Sequence, residues 1–171
     1  QLSSAIVGQS DLRRIARPEL ERLSDTVQET INLSVLLEHD IFYLDKVETH
    51  RSVVCNTRVG SRAPAYATSG GKVMLACREP SEIDAYFRWM AQAACPLTSN
   101  TITDSDQLRS QLVQARLNGY AMDDGEIEAG LICVAAPVYD MNRKVVAAVS
   151  ISGPDYRMRE DQEVMIREAR Q

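Results

Sequence analysis

Two apolar, β-branched runs, Leu131 to Tyr139 and Lys144 to Ser152, flank the four residues Asp140-Met141-Asn142-Arg143. Runs of this kind on either side of a short turn read as an antiparallel hairpin. A second hairpin stands near the other end. From Thr30, Ile31, Leu33, Val35 and Leu37 alternate with Asn32, Ser34 and Leu36, and a further run, Ile41 to Val47, follows the Glu38-His39-Asp40 turn. Strands that come as hairpins, with helical periodicity between them, confine the chain to the α+β class. The expected fold is an antiparallel sheet with helices packed on its faces, not a parallel Rossmann sheet. At 171 residues there is room for one core, and one domain is expected.

Five helical stretches complete the pattern. Leu12, Ile15, Ala16, Leu20, Leu23 and Val27 recur at three- and four-residue steps, giving a helix over about Ser10 to Gln28 with Ser10 as its cap. Pro18 removes a backbone donor inside it, so either the helix kinks there or a second helix begins with Pro18 in its first turn. Val53 to Arg58 reads as a short strand, and Gly60 to Pro64 as a loop leading to a helix that starts near Thr68 or Ser69 and carries Lys72 to Cys77. Pro80-Ser81 opens another helix with Ile83, Tyr86, Phe87, Trp89 and Met90 at helical spacing, read as core. The next, about Ser105 to Asn118, turns Leu108, Leu112, Ala115 and Leu117 inward and ends at Gly119. Strand resumes at Tyr120, and a last helix begins near Arg159. His39, in the first hairpin turn, reads as solvated.

Charge narrows the function. Nineteen Lys and Arg against 24 Asp and Glu give a net charge of −5, and a surface of that sign repels a phosphate backbone. These residues alone are not expected to bind DNA. No stretch approaches 18 uncharged apolar residues and no basic-then-apolar leader is present, so a cytoplasmic protein without a membrane partner is expected. The start at Gln1-Leu2-Ser3-Ser4 rather than Met reads as a piece whose N-terminal neighbour lies outside the sequence. Cys55, Cys77, Cys95 and Cys133 form no C-x-x-C pair and read as scattered reduced thiols. With His39 and His50 as the only histidines, hydrolytic arrangements and His-rich metal sites have few candidates.

Three stretches together resemble the effector-binding domain of the IclR family of bacterial transcription regulators. They are Val59 to Ala76 (VGSRAPAYATSGGKVMLA), Gly119 to Glu126 (GYAMDDGE) leading to Gly130 to Asp140 (GLICVAAPVYD), and Ala147 to Pro154 (AAVSISGP) with Arg157. The similarity covers nearly the whole chain. Two departures are Gly125, where an acidic residue is usual, and Ser69, in a place often held by Ala. The resemblance implies a GAF-like antiparallel sheet with helices on its faces, occupying 29–171, preceded by a linker or signalling helix over 1–28. It further implies a winged helix-turn-helix that binds DNA as a homodimer or homotetramer, a domain missing from this chain.

Thr68-Ser69-Gly70-Gly71-Lys72 puts small residues and free amides at a helix start, where the helix dipole favours an anion such as a carboxylate. The alternative is that Gly70 and Gly71 only let the helix pack close to the sheet. Asp123 and Asp124 enter a turn, where paired acids usually cap backbone amides; Asp124 is read that way, and Glu126 as a brace of the turn. Ser150 and Ser152 share one strand face, since alternate residues do, and if buried they need partners, which backbone or a polar effector would supply. The resemblance places Asp123 and Cys133 in the effector pocket, the thiol as a wall with a weak S–H donor. It also places Cys55 and Ala63 where larger apolar side chains can line the pocket. Their small size points to an effector larger than a two- or three-carbon acid, an aromatic acid among the candidates.

The leading reading is a sensor of a small organic acid, held by Ser69, Gly70, Gly71, Asp123, Cys133, Ser150 and Ser152 with Cys55 and Ala63, and using no cofactor or metal. Three others compete. A redox or nucleophilic Cys133 lacks an evident base. A metal site on Asp123 and Cys133 has two ligands where zinc usually takes four. A dimerisation module with an empty apolar pocket is the last.

Overall fold

The computed structural model describes residues 2–49, 51 and 57–171, with side chains from residue 11 onward. Thr30–Leu37 (β1) and Asp40–Val47 (β2) form the first hairpin, and Leu131–Tyr139 (β5) and Val145–Pro154 (β6) the second. Arg62–Pro64 (β3) adds to the free edge of β2, and Ala121–Asp124 (β4) to the free edge of β5. β1 pairs with β6, joining the two hairpins into one six-stranded, wholly antiparallel sheet in the order β3-β2-β1-β6-β5-β4.

Helices cover both faces. Ser69–Ala76 (α2), Pro80–Ala93 (α3) and Ser105–Asn118 (α4) pack Val73, Met74, Leu75, Tyr86, Phe87, Met90, Leu108 and Leu112 against Ile41, Tyr43, Ala121, Ala135 and Ala148. Leu2–Val27 (α1), Asp155–Glu160 (α5) and Gln162–Ala169 (α6) pack Leu20, Leu23, Val27, Met158 and Met165 against Ile31, Leu33, Val35, Ile132, Val134 and Ile151 on the other face. With both faces covered, β5 is apolar along most of its length instead of alternating. The α+β antiparallel sheet expected from the hairpins is the fold observed.

Several local expectations change. α1 is one helix through Pro18 that begins well before Ser10, so neither the second-helix alternative nor the Ser10 cap holds. Ile15 is exposed because it lies roughly a quarter turn from the stripe of Leu12, Ala16, Leu20, Leu23 and Val27. Leu117 is exposed for a similar reason, being on the side of α4 opposite Leu108, Leu112 and Ala115. Part of the expected Gly60–Pro64 loop is β3. Val53 to Cys55 and Asn56, of the expected Val53–Arg58 strand, lie outside the described residues. The terminal helix starts at Asp155 and is broken at Asp161 into α5 and α6. His39 is half-buried, stacked flat on Trp89 with ring centroids 4.1 Å apart, and thus ties the first hairpin turn to α3. Trp89 itself is only partly buried at the core's edge. The boundaries of α2, α3 and α4 fall where their caps predict: Thr68 Oγ1 accepts from Gly71 N, Glu79 and Glu82 form a capping box, and Gly119 ends α4 at φ +73°.

Candidate functional site

Strand register gathers four of the expected residues. Asp123 on β4 is opposite Cys133 on β5, Cys133 is opposite Ser152 on β6, and Ser152 is opposite Thr30 on β1. Residues paired directly across strands share a face, so Asp123, Cys133, Ser152 and Thr30 form one row on the α2 side. Ala121, Ala135, Ser150 and Asn32 form the next row on that face. The result is a buried polar strip crossing four strands. It runs through an otherwise apolar layer.

The partners within this strip are specific. Asn32 Nδ2 donates to Ser152 Oγ at 3.2 Å, and Thr57 Oγ1 donates to Asn32 Oδ1 at 2.8 Å. Asp123 Oδ1 accepts from the amides of Glu126 at 2.6 Å and Ile127 at 3.4 Å, holding the turn after β4. Asp123 Oδ2 and Thr30 Oγ1 are buried without a hydrogen-bond partner among the described residues. Unpartnered buried oxygens are uncommon and costly, and here they mark the two ends of one row.

Beside the row lies a buried charge cluster. Lys72 on α2, 1% exposed, directs its three N–H donors to Glu126 Oε1 at 2.5 Å, Gln111 Oε1 at 2.7 Å and the Met122 carbonyl at 3.2 Å. Glu126 Oε2 is unpartnered. Two carboxylates thus share the surroundings of a single ammonium. Burial, chiefly, and the Glu126 charge push the Asp123 carboxyl up to about 7, against the opposing pull of the Glu126 amide and Lys72. Near neutral pH Asp123 can therefore donate as well as accept. The sequence reads Lys72 as part of an apolar helix and of its anion-favouring start, and Glu126 as a brace; neither reading expects a buried ion pair. Burial alone separates them from surface charges.

α2 begins over the same face. A Cβ on Gly70 would stand 2.9 Å from Ser34 Oγ and 3.6 Å from Ala148 Cβ, and one on Gly71 within 2.3–2.7 Å of the Ala65 backbone. Close packing accounts for both glycines. Their packing sets Ser69, Gly70 and the first turn of α2 beside Ser34 and Ala148, the positions that follow Asn32 and precede Ser150 on this face. Gly125, the departure from the usual acid, has φ +70°, a conformation that Gly adopts without strain.

Two expected residues stand apart. Ala63 is on β3, opposite Ile41 and within the apolar core, at the other edge of the sheet from β4. Cys55 lies outside the described residues. Asp124 is exposed and paired with Arg159 at 2.6 Å. Among the described residues no three His, Cys, Asp or Glu side chains converge as a metal-ligand set, and no helix is long and apolar enough to cross a membrane. Thr30 and Asn32 were missed as site residues. Their signal was the period-two alternation of Thr30, Asn32 and Ser34 with Ile31, Leu33 and Val35.

Comparison with known proteins identifies this architecture. The family profile for the bacterial transcriptional regulator IclR C-terminal matches residues 4–171. The HTH-type transcriptional regulator BhcR of Paracoccus denitrificans is 36% identical over 91% of this chain, which spans 55% of that relative's length. The crystal structure of Thermotoga maritima IclR aligns over 97% of this chain and 71% of its own, at TM-score 0.81 and 32% identity. An IclR homologue from Microbacterium hydrocarbonoxydans, crystallised with 4-hydroxybenzoate, aligns over 95% of this chain and 69% of its own, at TM-score 0.79 and 28% identity. The described relatives are transcriptional regulators, a family not known for enzymes. With its fold and these matches in agreement, the chain belongs to the IclR family of transcriptional regulators, as a C-terminal domain of that family.

Proposed function

We propose that the chain senses a small organic acid and, through a winged helix-turn-helix domain outside these residues, controls DNA binding. The observation that carries this reading is the pair of unpartnered buried oxygens, Asp123 Oδ2 and Thr30 Oγ1, on one row with Cys133 and Ser152. In this reading the effector's carboxylate meets the α2 start at Ser69 and Gly70, the Gly71 amide being taken by the Thr68 cap, and its other polar groups meet Asp123, Cys133, Ser150 and Ser152. An acid larger than two or three carbons is the favoured class. The relative crystallised with 4-hydroxybenzoate supports that size; Ala63, within the apolar core at the far sheet edge, lends it no support. Binding would bias a homodimer or homotetramer between two arrangements, which requires a difference in affinity for the two.

The test is a thermal-shift screen against glyoxylate, pyruvate, 4-hydroxybenzoate and gluconate. A ligand at a hundred times its Kd stabilises the folded chain by about 2.7 kcal/mol, or roughly 5–10 °C for a domain of this size. The shift is expected for at least one acid and should shrink in Asp123→Asn and Ser152→Ala. No shift from any acid, or shifts unchanged in both variants, would refute the assignment.

A further inference from the structure

The placement of the acid given above leaves one of the row's two unpartnered oxygens, Thr30 Oγ1, without a contact. Thr30 is 1% exposed, and among the described residues its Oγ1 has neither a backbone nor a side-chain partner. Its neighbours are provided for. Ser152 receives Asn32, Asn32 receives Thr57, and Glu29, on the opposite face, is held by Arg157 at 2.9 Å and Arg51 at 3.2 Å. Among the described residues, this hydroxyl is thus buried at the start of β1 with no hydrogen-bonding role in the fold. Valine has nearly the same shape and would remove the unmet donor and acceptor, so stability alone does not explain a threonine there.

Its distance from the helix start is set by the strand. Gly70 lies on Ser34, and Thr30 is four residues earlier on β1 and on the same face. At about 3.4 Å per residue the separation along the strand is roughly 13–14 Å. Two hydrogen bonds of about 2.9 Å take up part of that span, leaving roughly 8 Å for the molecule between them. A two- or three-carbon acid cannot reach from one end to the other.

We infer that Thr30 is a specificity-determining residue of the effector site, and that the effector is an acid carrying a hydroxyl or keto oxygen at the end remote from its carboxylate. The inference rests on the acid-sensor reading above. Thr30 Oγ1 donates to or accepts from that remote oxygen while the carboxylate lies at the α2 start. The remote oxygen is read by a hydrogen bond that its unsubstituted parent cannot make. The parent leaves Thr30 unpartnered, as in the unliganded chain.

Calorimetric titration of the wild type, Thr30→Val and Thr30→Ser with two matched pairs of acids, 4-hydroxybenzoate with benzoate and 6-hydroxyhexanoate with hexanoate, tests this. The wild type should bind the hydroxylated member of at least one pair about tenfold more tightly than its parent, the worth of one buried hydrogen bond. Thr30→Val should erase that preference by weakening only the hydroxylated acid, and Thr30→Ser should retain it. Without ligand, the melting temperature of Thr30→Val should equal or exceed the wild type's. A loss shared equally by both members of a pair, or no change in Thr30→Val, overturns the role of Thr30. Binding of glyoxylate or pyruvate with all four longer acids inert overturns it too but leaves the acid-sensor reading intact. Failure of all six acids overturns it as well, and failure of gluconate in addition defeats the acid-sensor reading too.

Discussion

Replacing Lys72 by Met tests whether the buried charge cluster has the energetics its geometry implies. The ammonium is 1% exposed and makes a 2.5 Å ion pair with Glu126, with Gln111 and the Met122 carbonyl taking its other two donors. Methionine fills much of the same volume but leaves the Glu126 carboxylate buried, with Oε1 stripped of its cation and Oε2 already unpartnered. Breaking a buried pair from one side costs about 3–5 kcal/mol because an uncompensated charge remains. For a chain of this length that is a fall in melting temperature of roughly 6–20 °C. Thermal unfolding followed by circular dichroism would measure it. Removing both charges in Lys72→Met/Glu126→Leu should recover most of the loss. A Lys72→Met variant within about 1 kcal/mol of wild type, or a double variant no better than the single, would refute the claim that the pair is desolvated and coupled.

Asp123, pushed up to about 7 chiefly by burial, binds more protons folded than unfolded between about pH 4 and 7. Its contribution is therefore favourable at low pH and lost as pH rises through 7. Asp123→Asn should be more stable relative to wild type at pH 8 than at pH 5, as urea titrations at the two pH values would report. An anion entering the buried site that holds Asp123 favours its protonated form even with the carboxylate at the α2 start, so affinity for an organic acid should fall between pH 6 and 8 in the wild type and stay flat in Asp123→Asn, as calorimetry would detect. Gly71→Ala drives a methyl group into the Ala65 backbone and should cost about 1–3 kcal/mol in urea denaturation, as overpacking does. Leu117→Ser should change stability by no more than about 0.5 kcal/mol, whereas Leu112→Ala, at a buried site on the same helix, should cost about 2–5 kcal/mol.

Both hairpins were legible because their signal is local: alternation or apolar runs, a turn, and a register fixed by the turn. α3 and α4 were legible for the same reason, being bounded by Pro80 and Gly119. Ile15 and Leu117 were misjudged because apolar identity was given more weight than angular position on the helix. β3 was read as a loop since three residues cannot establish a period, and its strand character comes from the edge of β2. His39 was read as solvated because its partner Trp89 lies 50 residues on, and no local pattern announces the stack. At the site, Asp123 and Cys133 came from the motif resemblance and Ser150 and Ser152 from strand alternation, and the sheet register explains why they share one face. Lys72 was hidden inside an apolar run, where a lysine looks like a solvated interruption. Its burial depends on Glu126 and Gln111, 54 and 39 residues away. Thr30 was visible as part of a polar alternation, but only the absence of a partner in the folded chain gives it meaning.

The most direct test of the central claim is calorimetric titration of the chain with 4-hydroxybenzoate, gluconate, glyoxylate and pyruvate, repeated in Ser152→Ala and, as a control away from the strip, Leu117→Ser. The polar face of the sheet predicts saturable binding of one acid per chain, weakened about tenfold or more by Ser152→Ala and unchanged by Leu117→Ser. Equal affinity in all three proteins would place the acid elsewhere, and no binding by any of the four would contradict the acid-sensor account itself.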